Sequence, residues 1–354
     1  MNSHKLNQIT ILIIIMSKVY FEKNNISRLI EESGCLHKIK EGDIVAVKIH
    51  WGEEGNETHI KPGYVKVVVD KVKELGGIPF VTDTTALYNS RRYDAINALM
   101  VAREHGFTEE KLGCPVIVAD GIYGFAGIKI KISGHELNEI EVAQGIYEAD
   151  FLISAAHVKG HLLSGFGGAI KNVAMGCVTK NGKRVQHLVN LPEWISKNCT
   201  HCYNCVDSCR YGALKFASEK FKIDRDKCMA CLACNFACPN GALRFTADGK
   251  IHLQYRLADA CLGVLKKFKN NSAFINCAVD ITRECDCCGG KNPVVMPDVG
   301  FFASGDMVAA DSASLDFINK YKNFSEIHGV DPKIQIKAAE ELGLGSSTYK
   351  LTEI

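Results

Sequence analysis

The chain has almost no charge imbalance. Its 42 Lys and Arg stand against 40 Asp and Glu, a formal charge of +2. Nucleic acids and anionic bilayers are gripped by a basic excess, so neither is indicated as a partner. Long apolar runs are missing too. "ITILIIIM" (9–16) has one nearby basic residue before it, Lys5, and no A-x-A cleavage site after it. It is too short to span a bilayer. The preferred reading of residues 1–15 is an extension ahead of a true start at Met16, with "SKVYF" as the first strand. A buried or edge strand and a signal peptide are the alternatives. Without an export signal the expected location is the cytoplasm. The G-x-G-x-x-G fingerprint is also absent, so neither NAD nor flavin is invoked.

What is present suits a globular protein: 354 residues, 47% hydrophobic and 23% charged. That length allows one large α/β domain with a small one, or two ordinary domains. "DIVAVKIH" (43–50), "IPFVTD" (78–83), "PVIVAD" (115–120) and "DFLISAA" (150–156) read as strands. "KPGYVKVVVDKVKELGG" (61–77) and "RRYDAINALMVAREHG" (91–106) read as helices stopped by glycine. Continuously apolar strands alternating with helices predict a mostly parallel sheet with helices on both faces. Four strands run into His50, Asp83, Asp120 and His157. Ligands of such sheets sit at the carboxyl ends of the strands, so a site is expected there. The pattern breaks near 190 and resumes with "INCAVDI" (275–281), "ADSASLDFINKY" (310–321) and a last helix in "DPKIQIKAAEELGLG".

The 16 cysteines cluster at metal-ligand spacings. "CTHCYNCVDSCRYGALKF" (199–216) and "CMACLACNFACPNGALRF" (228–245) are one sequence written twice, offset by 29. Each carries C-x2-C-x2-C-x3-C, the run that binds [4Fe–4S] clusters in bacterial ferredoxins, where the fourth Cys serves the other cluster. Two [4Fe–4S] clusters are therefore expected. One takes Cys199, Cys202, Cys205 and Cys238; the other takes Cys228, Cys231, Cys234 and Cys209. Zinc knuckles are the alternative. One departure from the ferredoxin run falls just after the fourth cysteine: Pro239 follows Cys238, but Arg210 follows Cys209. The implied organisation is an extension (1–15), an α/β domain in two parts (16–191 and 251–354) and an α+β two-cluster insert (192–250).

Three stretches outside the repeat carry a resemblance. They are "VKIHWGEEGNETHIKPGYVKVVVDKVKELGGIPFVTDT", "HVKGHLLSGFGGAIKNVAMGC" and "DITRECDCCGGKNPVVMPDVGFFASGDMVAADSASLDFIN". From Met16 to about residue 330 the chain resembles the domain-of-unknown-function family 362, in its ferredoxin-containing members. The resemblance implies an iron–sulfur protein and supplies no substrate. It also makes Asp286 and its flanking cysteines part of the family motif.

His157, Lys159 and His161 alternate, so a strand continuing through them would turn all three to one side. Gly165, Gly167 and Gly168 then lead into a helix bearing Lys171 and Asn172. Exposed amides at such a helix start, with Lys171, would bind an anion; close packing is the competing use of the glycines. "IHWGEEGNETH" adds His50, Glu53, Glu54 and His59 as acid–base groups or metal ligands, or as a solvated loop. Asp83 and Asp120 are expected to help line the pocket. "RECDCCGG" contributes Cys285, Cys287 and Cys288, with Cys277 upstream. These read as an additional metal site for iron or zinc, a redox-active thiol pair, or reduced structural thiols.

Two functions compete. One is a ferredoxin-linked oxidoreductase: the insert passes electrons to an anionic small molecule, and His50, His157, Lys159, His161 and Lys171 bind it or give protons. The other is a non-catalytic electron-transfer or docking component; a non-redox acid–base enzyme with structural clusters is a further variant. An electron donor or acceptor protein is implied as partner, and an anaerobe as source.

Overall fold

The computed structural model describes residues 16–218, 220–290 and 292–354, so the reading of residues 1–15 lies outside the described part. Eight strands form the main sheet. Their order is Tyr349–Glu353, Ser17–Glu22, Gly300–Ser304, Ser272–Ala278, Phe151–His157, Ile44–Lys48, Ile78–Asp83 and Val116–Val118. All neighbours run parallel except at Gly300–Ser304, which is antiparallel to both strands beside it. The mostly parallel α/β fold expected from the strand pattern is therefore present.

The central strand explains the architecture. All seven residues of Phe151–His157 are buried. Side chains alternate across a strand, so one buried run serves two cores. Val45, Val47, Phe151 and Ile153 point into one, with Leu29, Val65, Val69 and Val101 from the helices Ile26–Ser33, Pro62–Glu74 and Ala95–Glu104. Ala46, Leu152 and Phe274 point into the other, with Val173, Leu257, Ala313 and Ala338 from Ala169–Gly176, Ala247–Phe268, Met307–Ile318 and Lys333–Glu341. Among the described residues no helix is long and apolar enough to cross a membrane.

The cysteine repeat has a third, small core of its own: Cys205, Leu214 and Leu243, packed against Trp194, Phe216 and Phe221. Two short antiparallel pairs frame it, Glu193–Trp194 with Leu243–Arg244 and Leu214–Ala217 with Lys220–Ile223.

One expectation fails. The strand does not run on from Phe151 to His161. It ends at His157, and Lys159–His161 pairs instead with Gly165–Gly167. The amide of Val158 still bonds to the Cys277 carbonyl and that of Gly160 to the Thr282 carbonyl, so the chain bends toward the segment after Ser272–Ala278.

Candidate functional site

The carboxyl edge of the sheet is a buried ionic network. Its centre is Asp286, fully buried. His157 Nδ1 lies 2.9 and 3.0 Å from the two carboxylate oxygens, and Lys159 Nζ lies 2.7 Å from one of them. His157 Nε2 is 2.9 Å from the Val279 carbonyl, which can only accept. Both ring nitrogens therefore face acceptors, and the ring is satisfied by a proton on each. Burial alone would raise the Asp286 carboxyl, but His157 and Lys159 outweigh it and hold the group well below the usual carboxylate range. His50 stands beside this group with Nδ1 accepting from the Gly52 amide at 3.0 Å. Burial, then the nearby Arg92, pushes His50 far below the ordinary imidazole range, so it is neutral.

A second set of pairs continues the network. Asp83 meets Lys48 at 2.9 Å and Arg92 at 3.2 Å. Arg92 also reaches Glu53 at 3.2 Å and the Tyr88 hydroxyl at 2.9 Å. Asn172 receives Lys48 on its oxygen at 2.9 Å and donates to the Lys48 carbonyl and Ser154 Oγ. Asp120 accepts from the Thr85 amide and hydroxyl, with Lys183 3.9 Å away. Across the edge, Lys48, Arg92, Lys159, Lys171, Lys180 and Lys183 outnumber Glu53, Asp83, Asp120 and Asp286. A low-dielectric edge with surplus cations is suited to a bound anion or thiolate.

Lys183 gives a pH test. Burial lowers its ammonium to about 8, against the pull of Asp120 and Asp83 and with the push of Lys48 and Arg92. Between about 8 and 10.5 the unfolded chain keeps a proton that folded Lys183 has lost. Its contribution to stability therefore rises with pH through that window. Lys183→Met is expected to remove this rise, seen by comparing the two proteins' denaturation midpoints at pH 7.5 and 10 (roughly the window's ends). Identical pH slopes in the two proteins would refute the assignment.

The glycine-rich helix entry is not an open anion site. The amides of Ala169 and Ile170 donate to the Asp311 carboxylate at 2.6 and 2.9 Å. A Cβ on Gly168 would sit 2.4 Å from Asp311 Oδ1. Gly168 thus admits a carboxylate already in the chain, and Gly165 turns the backbone at φ +71°. A Cβ on Gly167 would come within 3.3 Å of Lys171. His161 stays near Lys171: burial first, then that ammonium, pushes its imidazole far below the ordinary range. Its Nδ1 faces the Ser164 hydroxyl at 2.9 Å and accepts from the Ser164 amide at 3.2 Å, which ties down a turn. His59 stacks on His105 at 4.2 Å, and Glu54 pairs with Arg91 on the surface. Cys277 is buried within its strand.

Lys171 reaches elsewhere, to Cys285 Sγ at 3.5 Å. Cys285, Cys287 and Cys288 share one turn, closed by the Cys288 amide donating to the Cys285 carbonyl at 2.9 Å. Among the described residues, no group of three or more His, Cys, Asp or Glu surrounds a single-ion position. Lys48, Tyr88, Arg92, Lys180 and Lys183 were not singled out from sequence. Lys48 alone carried a signal, as the one charge inside "IVAVK".

The cysteine repeat is built with approximate two-fold likeness. His201 and Tyr203 have positive φ, and so do Ala230 and Leu232 at the equivalent places. Left-handed non-glycine residues are uncommon and turn successive amides toward one side. Cys199, Cys202, Cys205 and Cys238 line one small cavity; Cys209, Cys228, Cys231 and Cys234 line another. Equivalent amides point at equivalent sulfurs: Ala213 N–H to Cys209 Sγ at 3.3 Å and Ala242 N–H to Cys238 Sγ at 3.2 Å.

The fold and this edge define an α/β protein with a cysteine-repeat insert and a buried polar site at the strand ends. The chain belongs to the domain of unknown function family DUF362, whose model matches residues 45–316. No curated protein matches it. Among solved structures, the lactate racemase apoprotein from Thermoanaerobacterium thermosaccharolyticum is similar with a TM-score of 0.42 at 12% identity, over 86% of this chain and 57% of that one. A Thermotoga maritima protein gives a TM-score of 0.38 at 12% identity, over the same 86% and 57%. The chain thus spans less than two thirds of either structure.

Proposed function

We infer that the protein is an iron–sulfur oxidoreductase. The insert, 192–250, holds two [4Fe–4S] clusters that exchange electrons with the basic site at the sheet's carboxyl edge, in the body formed by 16–191 and 251–354. The observation that carries this is the crossed lining of the two cavities: each has three cysteines from one copy of the repeat and the fourth from the other. A cube with a thiolate at each corner needs four sulfurs spread around a cavity. A tetrahedral zinc, with bonds of about 2.3 Å, needs them closed on one point. The amides aimed at Cys209 and Cys238 suit thiolates, since hydrogen bonds to sulfur tune cluster potential.

The clusters supply one-electron transfer. The chain's own residues supply the rest. Lys159 and His157 are spent on Asp286, so the groups left to meet an anionic substrate are Lys171 and neutral His50. Neutral His50 can hydrogen-bond to that substrate, and the Lys171 ammonium, which Cys285 and Cys287 favour against burial, can pair with its charge. A one-electron donor or acceptor protein in the cytoplasm is the partner this reading requires. Protein purified without oxygen is expected to contain about eight iron and eight acid-labile sulfide per chain. Stoichiometric zinc without sulfide would overturn it.

A further inference from the structure

The loop 84–94 touches both chemistries. Tyr211, two residues after Cys209, donates its hydroxyl to the Leu87 carbonyl at 3.0 Å. Arg210 donates to Asn89 at 3.0 Å and lays its guanidinium 3.7 Å from the centre of the Tyr93 ring, which Lys180 also approaches, to 3.2 Å. Arg210 stands where the second copy has Pro239, and it is used for this contact. The residue after Leu87 faces the other way. The Tyr88 hydroxyl donates to Glu53 at 2.8 Å and lies 3.4 Å from the Cys287 carbonyl oxygen. From Cys209 to Cys287 the path is therefore covalent chain interrupted by one hydrogen bond, Tyr211 to Leu87, and one 3.4 Å contact between the Tyr88 and Cys287 oxygens.

The turn at the end of that path is fixed from every side. The Cys288 amide donates to the Cys285 carbonyl at 2.9 Å, and the Glu53 amide to the Asp286 carbonyl at 2.9 Å. Asn56 Nδ2 donates to the Cys288 carbonyl at 3.2 Å. The Asp286 side chain is held by His157 and Lys159. Reactive groups are positioned by such supporting bonds. Of the three thiols so held, Cys285 is buried and Cys288 is exposed.

Resting on the cluster reading above, we propose that Cys285 and Cys287 are a redox-active dithiol that the two clusters reduce through Tyr211, Leu87 and Tyr88. They stand two residues apart in one turn, closed by the Cys288 amide on the Cys285 carbonyl at 2.9 Å, with Lys171 Nζ 3.5 Å from Cys285 Sγ, whereas joining the adjacent Cys287 and Cys288 would force a small, strained ring around a peptide bond. In the step, the Cys285–Cys287 S–S bond breaks. Each [4Fe–4S]+ gives one electron and becomes [4Fe–4S]2+. The two sulfurs take up two protons, one from the Lys171 ammonium beside Cys285 and one from water at the exposed face. Lys171 regains its proton from water, and a low-potential one-electron donor recharges the clusters. Two one-electron carriers thereby deliver one two-electron unit.

The test uses the full chain with its clusters, under anaerobic conditions. Diamide treatment followed by peptide mapping is expected to find a Cys285–Cys287 link. Photoreducing the clusters of that oxidised protein is expected to be followed by return of their visible absorbance as the link opens. Cys287→Ser should lose the link and that return while keeping its iron. Tyr211→Phe should keep iron and link but slow the return about tenfold. Clusters present with no link, a return unchanged in Cys287→Ser, or a metal ion held by the three thiols would each overturn the dithiol. A link in protein that holds no clusters would overturn the cluster reading and the electron delivery with it.

Discussion

Replacing Cys202 with Ser is expected to halve the iron of the anaerobic protein, from about eight to about four per chain. Cys202 lines the cavity shared by Cys199, Cys205 and Cys238, and it contributes nothing to the other cavity. The small core beneath the repeat rests on Cys205, Leu214 and Leu243, so removing an exposed thiol leaves that packing in place. The two large cores on the sheet faces contain none of the repeat's cysteines. Far-ultraviolet circular dichroism should therefore be unchanged while iron and sulfide fall together. Full iron retention in Cys202→Ser would show that this thiol is not a ligand.

The second large effect is at Asp286. Asp286→Ala strands His157 and Lys159 as buried cations with no counter-charge. Breaking such a group by removing one partner costs about 3–5 kcal/mol. For a chain of this size, that corresponds to a midpoint lower by roughly four to seven degrees. Adding Lys159→Met to Asp286→Ala removes one stranded charge, so the double variant should recover part of the loss. The readout is thermal unfolding followed by circular dichroism, with iron content measured beside it. A single variant as stable as the parent would mean that the carboxylate does not offset the two cations.

Much of the scaffold was legible because its signals are local. The four apolar runs ending at His50, Asp83, Asp120 and His157 could be read as strands from composition alone, and the α/β class followed. The antiparallel strand Gly300–Ser304 could not, since five buried residues do not state their direction. The cysteine repeat was legible because its information lies in spacing.

The site was only half legible. His157 and Lys159 do meet, yet what they meet is Asp286, 129 residues beyond His157. The helix after Gly168 looked like an open anion site because its cap, Asp311, lies 142 residues beyond Ala169. Charge pairing across such separations leaves no trace in local pattern. Alternation also overreached, because a strand period holds only while the strand lasts, and this one stops at His157, before Lys159 and His161.

The crossed pair of clusters is the centre of the account, and electron paramagnetic resonance of the anaerobic, dithionite-reduced protein tests it most directly. The expected result is a signal from two reduced [4Fe–4S]+ centres close enough to couple, integrating to about two spins per chain. A sample that holds zinc, carries no sulfide and gives no signal would contradict the account.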